Sequence, residues 1–249
     1  MDYTVAKPQL DNMVTFLITS CGRLDLLERT IDSFLKFNQC PIERYIITED
    51  SADPKIYKQC KELNKKYGGM LEFIFNKNKL GQSRTIDQAY SQITTPYVFH
   101  CEDDWEFYAG GFIEKSMALL ESRPEILQAW IRPKADGILN AINSEVFYTE
   151  NGIPFRSVVP TSFYTGQVLE NGEKETVINY AGFSYNPGLK RMKDYFKLGS
   201  GGYSQFGKEH WVDKYYRDLG YRFVSMTMND QDGYVKHIGW DRRVENTVH

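Results

Sequence analysis

The chain has 249 residues, 41% of them hydrophobic and 25% charged, enough to bury the core of one large α/β domain under an ordinary polar surface. A formal net charge of −3 and the lack of any Lys/Arg cluster along the sequence exclude a nucleic-acid partner from the reading. No apolar run reaches the roughly 20 residues of a membrane span, and Met1–Asn12 has neither the basic flank nor the apolar stretch of a signal peptide. The four cysteines, Cys21, Cys40, Cys60 and Cys101, lack C-x-x-C spacing, so they suggest reduced thiols and no zinc site. A soluble, cytoplasmic protein is the expectation.

The first half alternates strand and helix. Val14–Thr19 is an apolar run that reads as a buried strand. Leu24, Leu27, Ile31, Phe34 and Leu35 then recur at helical spacing. A second strand spans Tyr45–Thr48 and ends in Glu49-Asp50. Ile56, Cys60, Leu63 and Tyr67 mark a helix stopped by Gly68-Gly69. Leu71–Phe75 is a third strand, followed by a helix carrying Ile86, Ala89, Tyr90 and Ile93. Tyr97–Cys101 is a fourth strand that runs into Glu102-Asp103-Asp104. Repeated β-α-β units of this length predict a mostly parallel, doubly wound sheet.

The second half is less regular. Phe112–Leu120 reads as a helix and Ile126–Ile131 as a strand; from Arg132 to Tyr180 the pattern dissolves into turns, short strand candidates and polar loops. A helix over Lys208–Leu219 and a strand over Tyr221–Met226 follow. No linker divides the chain, so a single domain over residues 1–249 is expected, the irregular middle being an elaboration on one core.

Ligands of open α/β sheets sit beyond the carboxyl ends of the strands. Acids stand there twice, as Glu49-Asp50 and as Glu102-Asp103-Asp104. Adjacent carboxylates repel one another, and a hard divalent cation would relieve them while keeping positions open for diphosphate oxygens. The plain alternative is a solvated acidic loop.

The order of these pieces carries a resemblance. Thr19-Ser20-x-x-Arg23 follows the first strand, an acid the second, Leu80-Gly81-x-Ser83-Arg84 opens a helix, and x-Asp103-Asp104 follows the fourth strand. This order resembles family 2 glycosyltransferases and their GT-A relatives, closely over residues 14–110 and loosely over 180–240. The resemblance implies a GT-A fold with a nucleotide-sugar-binding half (14–110) and an acceptor-binding half (111–249). It implies that Asp50 and Thr19 bind the nucleotide base, that Arg84 lies near the donor phosphates, and that Asp103 meets the ribose. Asp104, with Glu102, is expected to hold Mn²⁺ or Mg²⁺, and Trp105 to border the metal site. Two departures stand out: the triplet opens with Glu102, and the turn after the second strand reads Glu49-Asp50-Ser51-Ala52 where Asp-Asp-Gly-Ser is common.

In this family the base that deprotonates the acceptor begins a late helix after a glycine-containing loop. Gly207-Lys208-Glu209 resembles that element, which nominates Glu209, with Asp213 one turn on as the second choice. An acid in the first turn of a helix also suits the helix dipole and needs no function. His237, in Val-Lys-His-Ile-Gly-Trp, resembles the late histidine that contacts metal or diphosphate in GT-A enzymes; a surface histidine satisfied by backbone is the alternative. Aromatic residues, 14% of the chain, suit sugar faces, and Asn186 could face the acceptor. The resulting expectation is inverting, metal-dependent sugar transfer from a nucleotide-sugar donor, UDP-linked by default, to a glycan, lipid-linked or protein-linked acceptor. A sugar-phosphate nucleotidyltransferase is the alternative, although Thr19–Arg23 has only one glycine for a phosphate loop; a non-catalytic carbohydrate-binding relative is another.

Overall fold

The computed structural model describes residues 13–138, 140–168 and 171–242. The Met1–Asn12 segment read above for a targeting signal lies outside them. In chain order the first half contains β1 (Val14–Ser20), α1 (Leu24–Phe37), β2 (Arg44–Glu49), α2 (Pro54–Lys66), β3 (Leu71–Phe75), α3 (Gln82–Tyr90), β4 (Tyr97–Glu102) and β5 (Trp105–Phe107). There follow α4 (Phe112–Ser122), β6 (Ile126–Trp130), β7 (Phe147–Tyr148), β8 (Pro154–Ser157), β9 (Thr161–Val168) and β10 (Lys174–Tyr180). The last part holds β11 (Gly188–Arg191), α5 (Met192–Tyr195), a 3₁₀ turn (Phe196–Gly201), α6 (Glu209–Asp218), β12 (Arg222–Ser225) and β13 (Val235–His237).

The main sheet has the order β11-β4-β1-β2-β3, parallel except for β11. β1 is its central strand, and the nearly continuous apolar run Val14–Ile18 follows from coverage on both faces. Alternate residues of β1 supply two separate cores. Val14, Phe16 and Ile18 pack with α1 and α4, through Leu27, Ile31, Phe34 and Phe112. Leu17 packs with α3 and α6 on the other face, through Ile86, Tyr90, Val212 and Tyr216. The order of strand addition reverses at β1, with β2 and β3 to one side and β4 to the other, so the loops after β1 and β4 flank the crevice where ligands collect.

A second sheet has the order β6-β12-β8-β7, and its β7 and β8, with the β9–β10 hairpin, occupy the stretch that shows no periodicity. β6 and β12 match the strands read over Ile126–Ile131 and Tyr221–Met226, whereas β7 to β10 show only as short strand candidates and β5, β11 and β13 go unread, because they are short or irregular and their partners are remote. β13 pairs antiparallel with β5, setting His237 opposite Trp105. Among the described residues no helix is long and apolar enough to cross a membrane.

Candidate active site

The loops after β1 and β4 enclose an acidic cavity of about 240 Å³, lined among others by Thr19, Ser20, Arg23, Asp50, Glu102, Asp103 and Asp104. Its acids have divided roles. Glu49 is fully buried and receives Gly22 N–H (3.0 Å), Ser51 N–H (2.8 Å) and Ser20 Oγ–H (2.9 Å), so it braces the β1–α1 loop. Asp50 accepts from Asn76 Nδ2, Leu80 N–H and Gly81 N–H, each at 2.8 Å, which ties the loop that opens α3 to the cavity wall. Asp103 is also fully buried; Ser20 Oγ (3.0 Å), Cys21 N–H (3.3 Å) and the Arg23 guanidinium converge on it. Burial pushes Asp103 up to about 6, with Arg23 pulling it down and Asp104 pushing it further up.

Asp104 differs from these. Burial pushes its carboxyl up, yet His237 and Arg23 hold it below the usual carboxylate range. Its Oδ2 lies 3.1 Å from His237 Nε2 and 2.8 Å from Arg23 Nη1. The β5–β13 pairing, extended by Ile238 N–H donating to Asp104 O at 2.8 Å, produces this meeting of residues more than a hundred positions apart. Trp105 backs the imidazole edge to face, with ring centroids 4.9 Å apart, and Gly239 lies so close that a Cβ there would come within 2.5 Å of Asp104 Oδ2. Among the described residues His237 Nδ1 is buried with no hydrogen-bond partner.

These residues fit a divalent cation. Adjacent ligands of an octahedral ion with bonds of about 2.1 Å stand about 3 Å apart, the spacing of Asp104 Oδ2 and His237 Nε2. Among the described residues no set of three or more His, Cys, Asp or Glu side chains converges as a metal site. A cation here would therefore take most of its ligands from phosphate oxygens and water, as Mg²⁺-type ions do at nucleotide sites.

Beside the acidic cavity lies a larger one of about 660 Å³, lined among others by Arg84, Trp130, Arg132, Tyr185, Asn186 and Glu209. Gln82 lines both, and its amide donates to Glu102 Oε1 at 2.7 Å on the divide. The Trp105 indole N–H donates to Glu102 Oε2 at 3.0 Å. With the Asn186 amide oriented by its hydrogen-bond network, its nitrogen donates to the same oxygen at 3.2 Å and its oxygen accepts from Ser184 Oγ and Arg132 Nη2. Burial, reinforced by Asp104, pushes Glu102 up to about 7. Across the cavity Glu209 starts α6 and accepts Tyr185 N–H at 2.7 Å. Burial raises its carboxyl above the ordinary value, while the Tyr185 N–H, Lys190 and Arg132 oppose that shift and Asp213 adds to it.

Thr19, Asp50, Asp103 and Asp104 thus share the acidic cavity, and His237 joins Asp104. Glu102 sits on the divide, its oxygens held by Gln82 and Trp105. Trp105 is buried behind His237 and Glu102, lining neither cavity. Arg84 is exposed and lines the larger cavity only. Asp213 lies away from both: it is fully buried and accepts Ala181 N–H, Phe183 N–H and Arg217 Nε, which makes it an anchor for the β10–β11 loop. Arg23, Gln82 and Arg132 were not singled out in the sequence as site residues; only Arg23 carried a signal, as the last residue of the Thr-Ser-x-x-Arg motif.

A model of glycosyl transferase family 2 matches residues 15–178, well over half of the chain. The chain belongs to glycosyl transferase family 2. A comparison with curated protein sequences finds no match. Among solved structures this family 2 chain is similar to the mannosyltransferase PcManGT from Pyrobaculum calidifontis in complex with GDP-Man and Mn²⁺, with a TM-score of 0.60, 10% identity, and coverage of 92% of this chain and 57% of that one. It is also similar to GalNAc-T7 with UDP, GalNAc and Mn²⁺ (TM-score 0.60, 14% identity, 94% and 45% coverage). Residues 1–349 of S. aureus TarS in complex with UDP-GlcNAc match with a TM-score of 0.59 and 12% identity, over 95% of this chain and 61% of that one. The family 2 chain therefore has the GT-A fold expected from its motif order, and it spans between 45% and 61% of the length of these neighbours.

Proposed function

We propose that the protein transfers a sugar from a nucleotide diphosphate sugar, UDP-linked by default, to an acceptor hydroxyl with inversion at the anomeric carbon. The observation that carries this reading is the pairing of two adjoining cavities. One offers Asp104 and His237 as a cation-type pair, and the other offers Glu209, with Gln82 and Glu102 on the divide. Asp104 and His237 would hold Mn²⁺ or Mg²⁺, which when bound stabilises the negative charge of a departing diphosphate. Thr19 and Asp50 would border the base and Asp103 the ribose, while Arg84 offers a further positive charge to the donor. Glu209 takes the proton of the acceptor hydroxyl as its oxygen bonds to the anomeric carbon and the bond to the diphosphate breaks. Burial raises the Glu209 carboxyl above its ordinary value, which makes it a stronger proton acceptor. The complexes of PcManGT with GDP-Man and Mn²⁺ and of GalNAc-T7 with UDP and Mn²⁺ support donor and metal by analogy of fold. A glycan, lipid-linked or protein-linked sugar is the proposed acceptor. Four unpaired cysteines support the cytoplasm as its place.

The test is nucleotide diphosphate release from a panel of nucleotide sugars with Mn²⁺, with and without sugar acceptors. Asp104→Ala is expected to abolish metal-dependent nucleotide binding. Glu209→Gln is expected to keep binding and lose about 10²-fold or more in transfer, and anomeric analysis of the product should show inversion. No release from any donor would sink the reading.

A further inference from the structure

Lys190, on β11, is buried beneath the floor of the larger cavity at 6% exposure. Among the described residues no carboxylate lies within ion-pair distance of its ammonium, an expensive position for a lysine. Its Nζ instead donates to Ser184 O at 2.7 Å and lies over the Phe183 ring, 4.9 Å from the centroid. Gln128 clamps the same residue, donating from Nε2 to Ser184 O at 2.9 Å and accepting Ser184 N–H at 3.1 Å. The very next N–H, that of Tyr185, is the one that donates to Glu209 Oε1 at 2.7 Å. Asn186 N–H turns back onto Ser184 Oγ at 3.1 Å, so side chains fix the backbone of three successive residues, Ser184 to Asn186.

Resting on the reading of Glu209 as the base, we propose that Lys190 is a positioning residue for transfer: it holds the Ser184 carbonyl so that the Tyr185 N–H orients the Glu209 carboxylate, and its charge favours the ionised base. Burial lowers Lys190 to about 7, and the Glu209 and Glu102 carboxylates work against that fall. Glu209 in turn feels Lys190 from β11, Arg132 from the segment after β6, and Asp213 from its own helix; the Tyr180 and Tyr185 hydroxyls and Glu102 also interact with it, and Arg84, Lys208 and His210 line the same cavity. Of Lys190 and Arg132, Lys190 is also bonded to the peptide group that carries the base's hydrogen-bond donor, Ser184 C=O–Tyr185 N–H. A lysine kept only for packing would do as well as methionine.

The test compares Lys190→Met, which removes donor and charge, with Lys190→Gln, which offers a neutral donor if the first variant folds poorly. Protein carrying ¹³C-labelled glutamate carboxyls is titrated by NMR, and the Glu209 resonance is assigned by its absence in Glu209→Gln. In either Lys190 variant its midpoint is expected to rise by about one pH unit, the effect of losing a nearby opposite charge. Turnover of the same donor panel should fall about tenfold near neutrality, the acid limb of the pH profile should move up with the midpoint, and binding of UDP with Mn²⁺ should stay within about twofold. An unmoved midpoint, or a moved one with turnover kept within about twofold, overturns the role of Lys190. If Glu209→Gln itself keeps normal turnover, the base reading fails instead, and the effect of Lys190 on the midpoint is still read.

Discussion

Replacing Arg23 by glutamine should tighten Mn²⁺ binding. Arg23 reaches Asp103 through Nε and Nη2 and presents Nη1 to Asp104 Oδ2 at 2.8 Å, the oxygen that also faces His237. A cation bound to that oxygen would stand about 5 Å from the guanidinium centre, taking a metal–oxygen bond of about 2.1 Å. For charges of +2 and +1 at that distance the repulsion is about 1.7 kcal/mol with the screening of bulk water, and several times larger at the effective dielectric of a partly buried site. The lower figure already corresponds to more than tenfold in affinity. Removing the guanidinium also frees the charge of two aspartates, which acts in the same direction. The arginine therefore stands as a counter-ion in the metal's place.

The assay is a titration of free Mn²⁺ by electron paramagnetic resonance at about 0.15 M salt, where long-range charge effects are damped, without nucleotide. Arg23→Gln should bind at least about tenfold tighter than the parent. The variant should also melt at a lower temperature, since removing one partner of a buried ion pair costs about 3–5 kcal/mol, and Mn²⁺ should restore part of that loss by mass action. Arg23→Lys retains the positive charge and should bind Mn²⁺ more nearly as the parent does. Equal or weaker Mn²⁺ binding by a folded Arg23→Gln would refute the reasoning, leaving Arg23 as a brace for the β1–α1 loop.

Two other predictions concern stability. Glu102 is raised from 4.5 to about 7 and Lys190 lowered from 10.5 to about 7 in the folded chain. Between 4.5 and 7 the folded state holds more of the Glu102 proton than the unfolded state, so stability from this group falls as pH rises; between 7 and 10.5 the folded state holds less of the Lys190 proton, so stability from that group rises with pH. Without metal, melting temperature plotted against pH should be lowest near 7, with Glu102→Gln flattening the acid side and Lys190→Met the alkaline side; slopes unchanged in both variants would contradict this. Gly182 has φ +113°, and a Cβ there would lie 2.4 Å from Trp130 Cζ2. Gly182→Ala should cost about 3 kcal/mol in urea unfolding, from backbone strain together with overpacking, and a cost below about 1 kcal/mol would count against the tight fit.

The parallel core was legible because each of its elements announces itself locally. Val14–Thr19, the helix face of Leu27, Ile31 and Phe34, and the glycine stop at Gly68-Gly69 all need no remote partner to be read. β5, β11 and β13 carry three or four residues each, and what makes them strands is a neighbour far along the chain. The acidic cavity was legible for the same reason, since Thr19, Asp50, Asp103 and Asp104 end or directly follow strands that are read locally. The floor under Glu209 was not: Lys190 reads as one charged residue in Gly-Leu-Lys-Arg, and nothing in that spacing shows its ammonium turned inward onto Ser184.

The acids at the sheet edge show why residue type alone overstates a metal site. Five carboxylates follow β2 and β4, and type cannot rank them. Hydrogen-bond donors can. Glu49 and Asp50 each meet three or more protein donors, and Asp103 is held by Ser20, Cys21 and Arg23. Each gives up lone pairs to bracing loops, and among the donors are backbone N–H groups of those loops that the fold must satisfy anyway. Glu102 spends both oxygens on Gln82 and Trp105. Asp104 alone faces two side chains that a cation could rearrange, one an imidazole able to become its co-ligand and the other a guanidinium able to leave. What distinguishes it is the register of β13 against β5, which brings His237 to that carboxylate and to none of the others.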